Sequence, residues 1–246
     1  MKKLLLLVCI AYPFSACHSE ELIFNTLAKE CAKNVHHDTM QALVRVESSF
    51  NPYAIGVVGE QIKQPKTFAE AVETAKTLFE QRKNFSLGLA QINISNLTKY
   101  GLTFESVFDP CKNLQASSAI LGACYDLAKG SEQEALQRAL SCYYSGNFRT
   151  GFIQDLKGKP TYVERVKIAA RENNTQAIVT TSENTDNSTD NNALKIPALN
   201  PNIVVSAETQ STKSTSAVIA KVKSKQAAND RSTNKPKQTW DAFGDF

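Results

Sequence analysis

The stretch Asp38-Thr39-Met40-Gln41-Ala42-Leu43-Val44-Arg45-Val46-Glu47-Ser48-Ser49-Phe50-Asn51-Pro52 decides what kind of fold this chain adopts. At about 100° per residue, Met40, Leu43, Val44 and Glu47 fall on one helical face, while Gln41 and Arg45 look elsewhere. Asp38 or Thr39 is placed to cap this helix, and Asn51-Pro52 closes it because proline cannot continue one. A single carboxylate therefore sits on an apolar stripe, one turn from the helix end. Burial there disfavours the charged form, and a glutamic acid kept protonated near neutrality is suited to donate a proton. The plain alternative is that the helix end is exposed and Glu47 reaches water.

Outward from this helix, most of residues 20–171 read as helical. Glu20 to Lys33 carries Leu22, Ile23, Leu27 and Cys31 at helical spacing. Tyr53 to Gln64, with Gly56 and Gly59 among short β-branched runs, predicts a small hairpin or irregular lobe. Thr67 caps Phe68 to Arg82, with Glu70 at the capping-box position. Ser86 opens a helix to about Lys99, which Gly101 ends. Asp109-Pro110 starts another through roughly Lys129, Ser131 to Tyr143 is the next, and Thr161 to Arg171 the last. The fold class expected is mainly α, a helical domain with one small β element.

Composition divides the 246 residues into three parts. Lys2-Lys3, the apolar run Leu4 to Ala11 and the small residues Ser15, Ala16, Cys17 and Ser19 have the grammar of an export signal over residues 1–19, too short to span a bilayer. Cleavage after Cys17 or Ser19 leaves a free exported form, and Phe14-Ser15-Ala16-Cys17 faintly offers a lipid anchor at Cys17 instead. No later apolar run is long enough for a membrane helix. From Glu172 onward the chain turns to Ser, Thr, Asn, Gln, Ala and Lys, a composition that buries too little apolar surface to be ordered, so residues 172–246 read as a mostly disordered tail. Two places in it differ: the apolar, proline-spaced Ile196 to Val205, and the end Trp240-Asp241-Ala242-Phe243-Gly244-Asp245-Phe246, which holds the chain's one tryptophan and reads as a docking peptide.

Six cysteines are present, and four lie beyond the signal: Cys31, Cys111, Cys124 and Cys142. An even number in an oxidising compartment points to two disulfides, and spacing alone leaves all three pairings open. No CxxC pair supports zinc, and the adjacent His36 and His37 read as a solvated turn rather than a metal site. The net charge of +4 is small, and the tail is neutral, with eight basic and eight acidic residues. Such a balance lacks the concentrated basic stripe of a nucleic-acid binder.

Two further strings carry polar chemistry. In Ser86-Leu87-Gly88-Leu89-Ala90-Gln91-Ile92-Asn93, Gly88 allows a close backbone approach and Gln91 offers a donor and an acceptor suited to an amide such as an N-acetyl group. In Cys142-Tyr143-Tyr144-Ser145-Gly146-Asn147, two aromatics precede a polar helix end and could wall a sugar site. Tyr162 follows on the last helix.

Glu47-Ser48-Ser49-Phe50-Asn51-Pro52, Gly88-Leu89-Ala90-Gln91-Ile92-Asn93, Tyr143-Tyr144-Ser145-Gly146-Asn147 and Tyr162-Val163-Glu164-Arg165-Val166, in that order and spacing, resemble the soluble lytic transglycosylases with a lysozyme-like fold. Asn51-Pro52-Tyr53-Ala54-Ile55-Gly56-Val57, Asp109-Pro110-Cys111-Lys112-Asn113-Leu114 and the Cys142 string look most like the VirB-type subgroup, which opens the wall for type IV secretion systems. The likeness covers about residues 22–171. It implies a lysozyme-like α+β domain over 20–171, a periplasmic location, no cofactor and no metal. It implies Glu47 as acid/base, with Ser48, Gln91, Tyr143, Tyr144, Asn147 and Tyr162 at the substrate. It also implies the pairings Cys31–Cys111 and Cys124–Cys142. Ala90 and Tyr144 depart from the family, which usually has Met and Asn there.

The reaction so implied cuts the MurNAc-GlcNAc β-1,4 bond of peptidoglycan and leaves a 1,6-anhydroMurNAc end. Glycan strands are the expected partner, with secretion components expected on the tail. A muramidase would need a second carboxylate, for which Asp109, Glu60 and Asp126 are candidates. A non-catalytic wall-binding assembly factor is the remaining alternative.

Overall fold

The computed structural model describes residues 16–180 and 195–205. Six helices make most of it: α1 (Ala16–Cys31), α2 (His37–Ser48), α3 (Phe68–Glu80), α4 (Pro110–Leu127), α5 (Glu132–Ser145) and α6 (Tyr162–Thr180). Three short strands, β1 (Ile55–Val57), β2 (Phe85–Leu87) and β3 (Ile92–Asn93), form one antiparallel sheet in the order β1-β2-β3. Mainly helical with a small β lobe is the class expected.

Two apolar clusters organise these elements. The larger gathers Met40, Leu43 and Val44 of α2 with Leu114 and Leu121 of α4, Leu136 and Leu140 of α5, and Val163 and Val166 of α6. The smaller closes the lobe around Ile55, Phe85, Leu87 and Ile92, with Ala71 and Ala75 of α3 and Ala116 of α4. Helix α4 serves both, which explains its buried Ala116, Ser117, Ser118 and Gly122: small residues let neighbours approach on two sides. Disulfides Cys31–Cys111 and Cys124–Cys142 tie α1 and α5 to this central helix.

Several boundaries differ from the sequence reading. Helix α2 is capped by His36, whose Nδ1 accepts from the Asp38 amide, not by Asp38 or Thr39. His36 and His37 stack at 4.4 Å and both approach Asp38, so this turn is built rather than merely solvated. The helix ends at Ser49, which takes the left-handed conformation at φ 49° before Pro52 is reached. Thr67 caps α3 as expected, but the Glu70 carboxylate accepts from Lys66 rather than from the cap amide.

The expected helix from Ser86 to Lys99 is absent. Phe85 and Leu87 build β2, Ile92 and Asn93 build β3, and short 3-10 turns follow at Ile94–Asn96 and Thr98–Tyr100. Gly88 at φ +77° and Gln91 at φ +49° break any helix between them. Within Tyr53 to Gln64 the small hairpin or irregular lobe expected is a tight antiparallel bridge, Val57 opposite Glu60, followed by irregular chain, and β1 also pairs with β2, Ile55 opposite Leu87. On the other edge the Gln64 amide stands in for a strand, accepting from Ile55 N–H at 2.9 Å and donating to its carbonyl at 3.0 Å.

Described structure continues past the expected boundary at 171. Helix α6 continues to Thr180, and residues 195–205 return to the domain, burying Ile196 and Leu199. Residues 1–15 of the expected export signal and the 240–246 docking peptide lie outside the described residues. No described helix is long and apolar enough to cross a membrane.

Candidate active site

Glu47 occupies the last turn of α2, half-buried. The Tyr162 phenol at the start of α6 donates to its Oε1 at 2.5 Å. Tyr162 is only 2% exposed and lies flat on Tyr144, with ring centroids 4.3 Å apart. Burial first, then the nearby charge of Glu47, holds the Tyr162 hydroxyl well above the ordinary tyrosine value, so it remains a neutral donor. The same two causes, in the same order, raise Tyr143.

Behind this contact stands a pair the sequence reading missed. Tyr144 donates to Asp155 Oδ2 at 2.5 Å, and Arg165 donates to both Asp155 oxygens, at 3.0 and 3.3 Å. The Arg165 guanidinium also lies 5.7 Å from the Tyr162 ring centre. Burial would raise the Asp155 carboxyl, but the hydrogen bonds from Arg165 and Tyr144, with the Arg165 charge, outweigh it and leave it below the usual range. Arg165 stood within a quoted motif, whereas Asp155 lies in an irregular loop with no periodic signal.

A second construction in the lobe is tied to the neighbouring Ser48. The turn 88–91 is held by Asn113, whose carbonyl accepts from Ala90 N–H at 2.8 Å. Its amide donates to the carbonyls of Leu87 and Val107 at 3.0 and 2.8 Å. What Gly88 approaches closely is this side chain: a Cβ would come within 2.3 Å of Asn113 Nδ2. Ser48 donates to Leu89 carbonyl at 2.7 Å and Tyr143 donates to Ala90 carbonyl at 2.6 Å, so α2 and α5 are both pinned to one turn.

Beside the turn opens a cavity of about 400 Å³, lined by Gln91, Asn93, Asn96, Tyr143, Tyr144 and Ser145 among others. Glu47 is outside that lining, and Tyr143 links the two regions. The buried Gln91 amide donates to the carbonyls of Ala54 and Gly88, while its Oε1 has no partner among the described residues. A buried acceptor left unpaired costs free energy that a ligand donor would recover.

The remaining predicted site residues divide. Tyr162 meets Glu47, whereas Tyr143 and Gln91 line the cavity beside the turn. Ser48, 1% exposed, is a strut between α2 and the turn. Tyr144 lines the cavity but gives its hydroxyl to Asp155. Asn147 spends its side chain on its own turn, accepting from the amides of Arg149 and Thr150. The acids weighed as a second carboxylate are engaged elsewhere: Asp109 caps α4, Glu60 pairs with Lys83 and Asp126 with Lys195.

The family model described as the Transglycosylase SLT domain matches residues 24–162. The "Type IV secretion system protein virB1" of Brucella abortus is 50% identical over 161 residues, covering 63% of this chain and 67% of that protein. The protein of the same description from Brucella suis is 51% identical over 152 residues, 60% of this chain and 63% of its own length. "Protein virB1" of Agrobacterium fabrum is 35% identical over 155 residues, 61% of this chain and 60% of its own. No solved structure matches.

Proposed function

The chain belongs to the transglycosylase SLT domain family, and from that premise we propose that it cleaves the MurNAc-GlcNAc β-1,4 bond of peptidoglycan with Glu47 as its single acid/base. The observation that carries this reading is the Tyr162–Glu47 contact at 2.5 Å, which holds one carboxylate between the end of α2 and the start of α6. Glu47 protonates the leaving glycosidic oxygen. The neighbouring N-acetyl group stabilises the positive charge that develops at the anomeric carbon. The carboxylate then takes the proton of the same sugar's primary hydroxyl, whose oxygen attacks that carbon and closes a 1,6-anhydro ring. An internal nucleophile needs no second carboxylate to activate water, because proximity raises its effective concentration. The engagement of Asp109, Glu60 and Asp126 elsewhere favours this route over hydrolysis.

Gln91 Oε1 is suited to accept from a sugar amide or hydroxyl, and Tyr143 walls the same cavity. The virB1 relatives favour a role in opening the wall for a type IV secretion system. Residues 1–19 act in export to the periplasm, 20–171 carry the catalytic machinery, and the part of 172–246 beyond the returning segment offers a site for secretion components. Mass spectrometry of muropeptides from sacculi treated with the wild type and Glu47→Gln tests the chemistry. Anhydro-ended products from the wild type alone are expected. Reducing ends would mean hydrolysis, and unchanged products from Glu47→Gln would remove the residue from its role.

A further inference from the structure

The returning segment Lys195-Ile196-Pro197-Ala198-Leu199-Asn200-Pro201-Asn202-Ile203-Val204-Val205 is met group by group. Ile196 donates to Asn34 carbonyl at 3.1 Å and accepts from His36 N–H at 3.0 Å, a parallel bridge beside Val35. The hydroxyl of Thr39, itself fully buried, donates to Pro197 carbonyl at 2.8 Å and accepts from Leu199 N–H at 3.1 Å. Gln133 does the same one residue on, donating to Ala198 carbonyl at 2.7 Å and accepting from Asn200 N–H at 2.6 Å. Arg171 donates to Pro201 carbonyl at 2.7 Å and the buried Gln137 to Ile203 carbonyl at 2.8 Å. Ile196 at 0% and Leu199 at 4% exposure are the apolar anchors.

Three features mark this as recognition rather than incidental packing. Three polar side chains, on α2 and α5, spend their hydrogen bonds on the segment's backbone; two of them, Thr39 and Gln137, are at most 1% exposed, and unmet they would be costly. Thr39 and Gln133 each satisfy a carbonyl and an amide, the pairing a neighbouring strand would supply. The prolines at 197 and 201, which have no N–H, accept at their carbonyls only. The groove then continues past Ile203 into a cavity of about 230 Å³ between α5 and α6, lined by Gln137, Phe152, Val163, Lys167, Val204 and Val205.

We propose that the face formed by the start of α2, α5 and α6 is a peptide-binding site for an extended, proline-spaced apolar segment, and that residues 195–205 are its tethered ligand. The three helices it bridges are those that present Glu47, Tyr143 and Tyr162 at their other ends or first turn. Residues 181–194 connect ligand to domain, so the cis segment competes at the high effective concentration that a short tether provides.

The test uses the full chain and a fluorescently labelled synthetic peptide of residues 195–205. Leu199→Asp places a charge in the apolar anchor site and expels the segment, leaving the groove open. Labelled peptide should bind this variant at least about tenfold more tightly than it binds the wild type, where the cis copy occupies the groove. Equal binding to both proteins, or binding to neither, would overturn the proposal. If Leu199→Asp does not fold, Gln133→Ala serves, since it removes two backbone contacts and no apolar one. Hydrogen exchange at the Asn200 amide should then accelerate at least about tenfold while core amides of α4 stay unchanged, and unaltered exchange at Asn200 would overturn the proposal. Both readouts are independent of glycan cleavage, so their failure and that of the catalytic reading can be told apart.

Discussion

Tyr162 and Glu47, 115 residues apart in sequence, meet through a 2.5 Å hydrogen bond in which the phenol is the donor. Tyr162→Phe removes that donor and keeps the ring stacked on Tyr144. A lost hydrogen bond to a charged group is worth about 1.5–3 kcal/mol, so kcat on sacculi should fall about tenfold to a hundredfold. KM should change little. Full activity in Tyr162→Phe would mean that this contact does not orient the carboxyl.

Asp155 makes acid sensitivity specific. Its folded pKa is depressed, so its contribution is fully present above the unfolded carboxyl value of about 3.9 and is lost as pH falls through the lower folded value. Urea midpoints of the wild type should therefore drop below about pH 4. Asp155→Asn should be less stable at neutral pH and show a shallower acid dependence. Parallel curves for the two proteins would count against the pair.

Gly88 and Asn113 are fitted to one another. Gly88→Ala drives a Cβ toward the Asn113 amide and the Val107 carbonyl from a left-handed backbone, so unfolding free energy should fall by about 3 kcal/mol or more. Asn113→Ala strands three backbone groups and should cost a similar amount, about 2–5 kcal/mol. Denaturant titration of both variants checks this, and a loss under about 1 kcal/mol in either would contradict the packing.

The disulfides should differ in what they protect. Each constrains the unfolded chain, and losing either should cost about 2–5 kcal/mol. Cys142 adjoins Tyr143, which pins α5 to the 88–91 turn. The Cys124→Ala/Cys142→Ala pair should therefore lose activity at temperatures where it is still folded. Cys31→Ala/Cys111→Ala should lose stability alone. Comparing turnover with melting temperature separates the two outcomes.

The helices were legible because their signals are local. Asp109 before Pro110 and Thr67 before Phe68 each satisfy an amide within three residues, and proximity in sequence guarantees the contact. The span 86–99 misled because a serine before an apolar run imitates a helix start. What makes it a strand is β1, about thirty residues earlier, and Asn113, about twenty later, neither visible in a local window.

By itself the sequence determined the helical class, the placing of Glu47 on the apolar face of α2 and the motif order that marks the family, since periodicity and residue type are properties of short segments. Tertiary structure alone decided which groups touch that carboxyl, that Ser48 is a strut, that Asp155 and Arg165 back the tyrosine pair, and that residues 195–205 return to the domain. Those facts depend on hydrogen bonds of 2.5–3.3 Å between residues 10 to 158 positions apart in the chain. Only packing of the helices sets such distances.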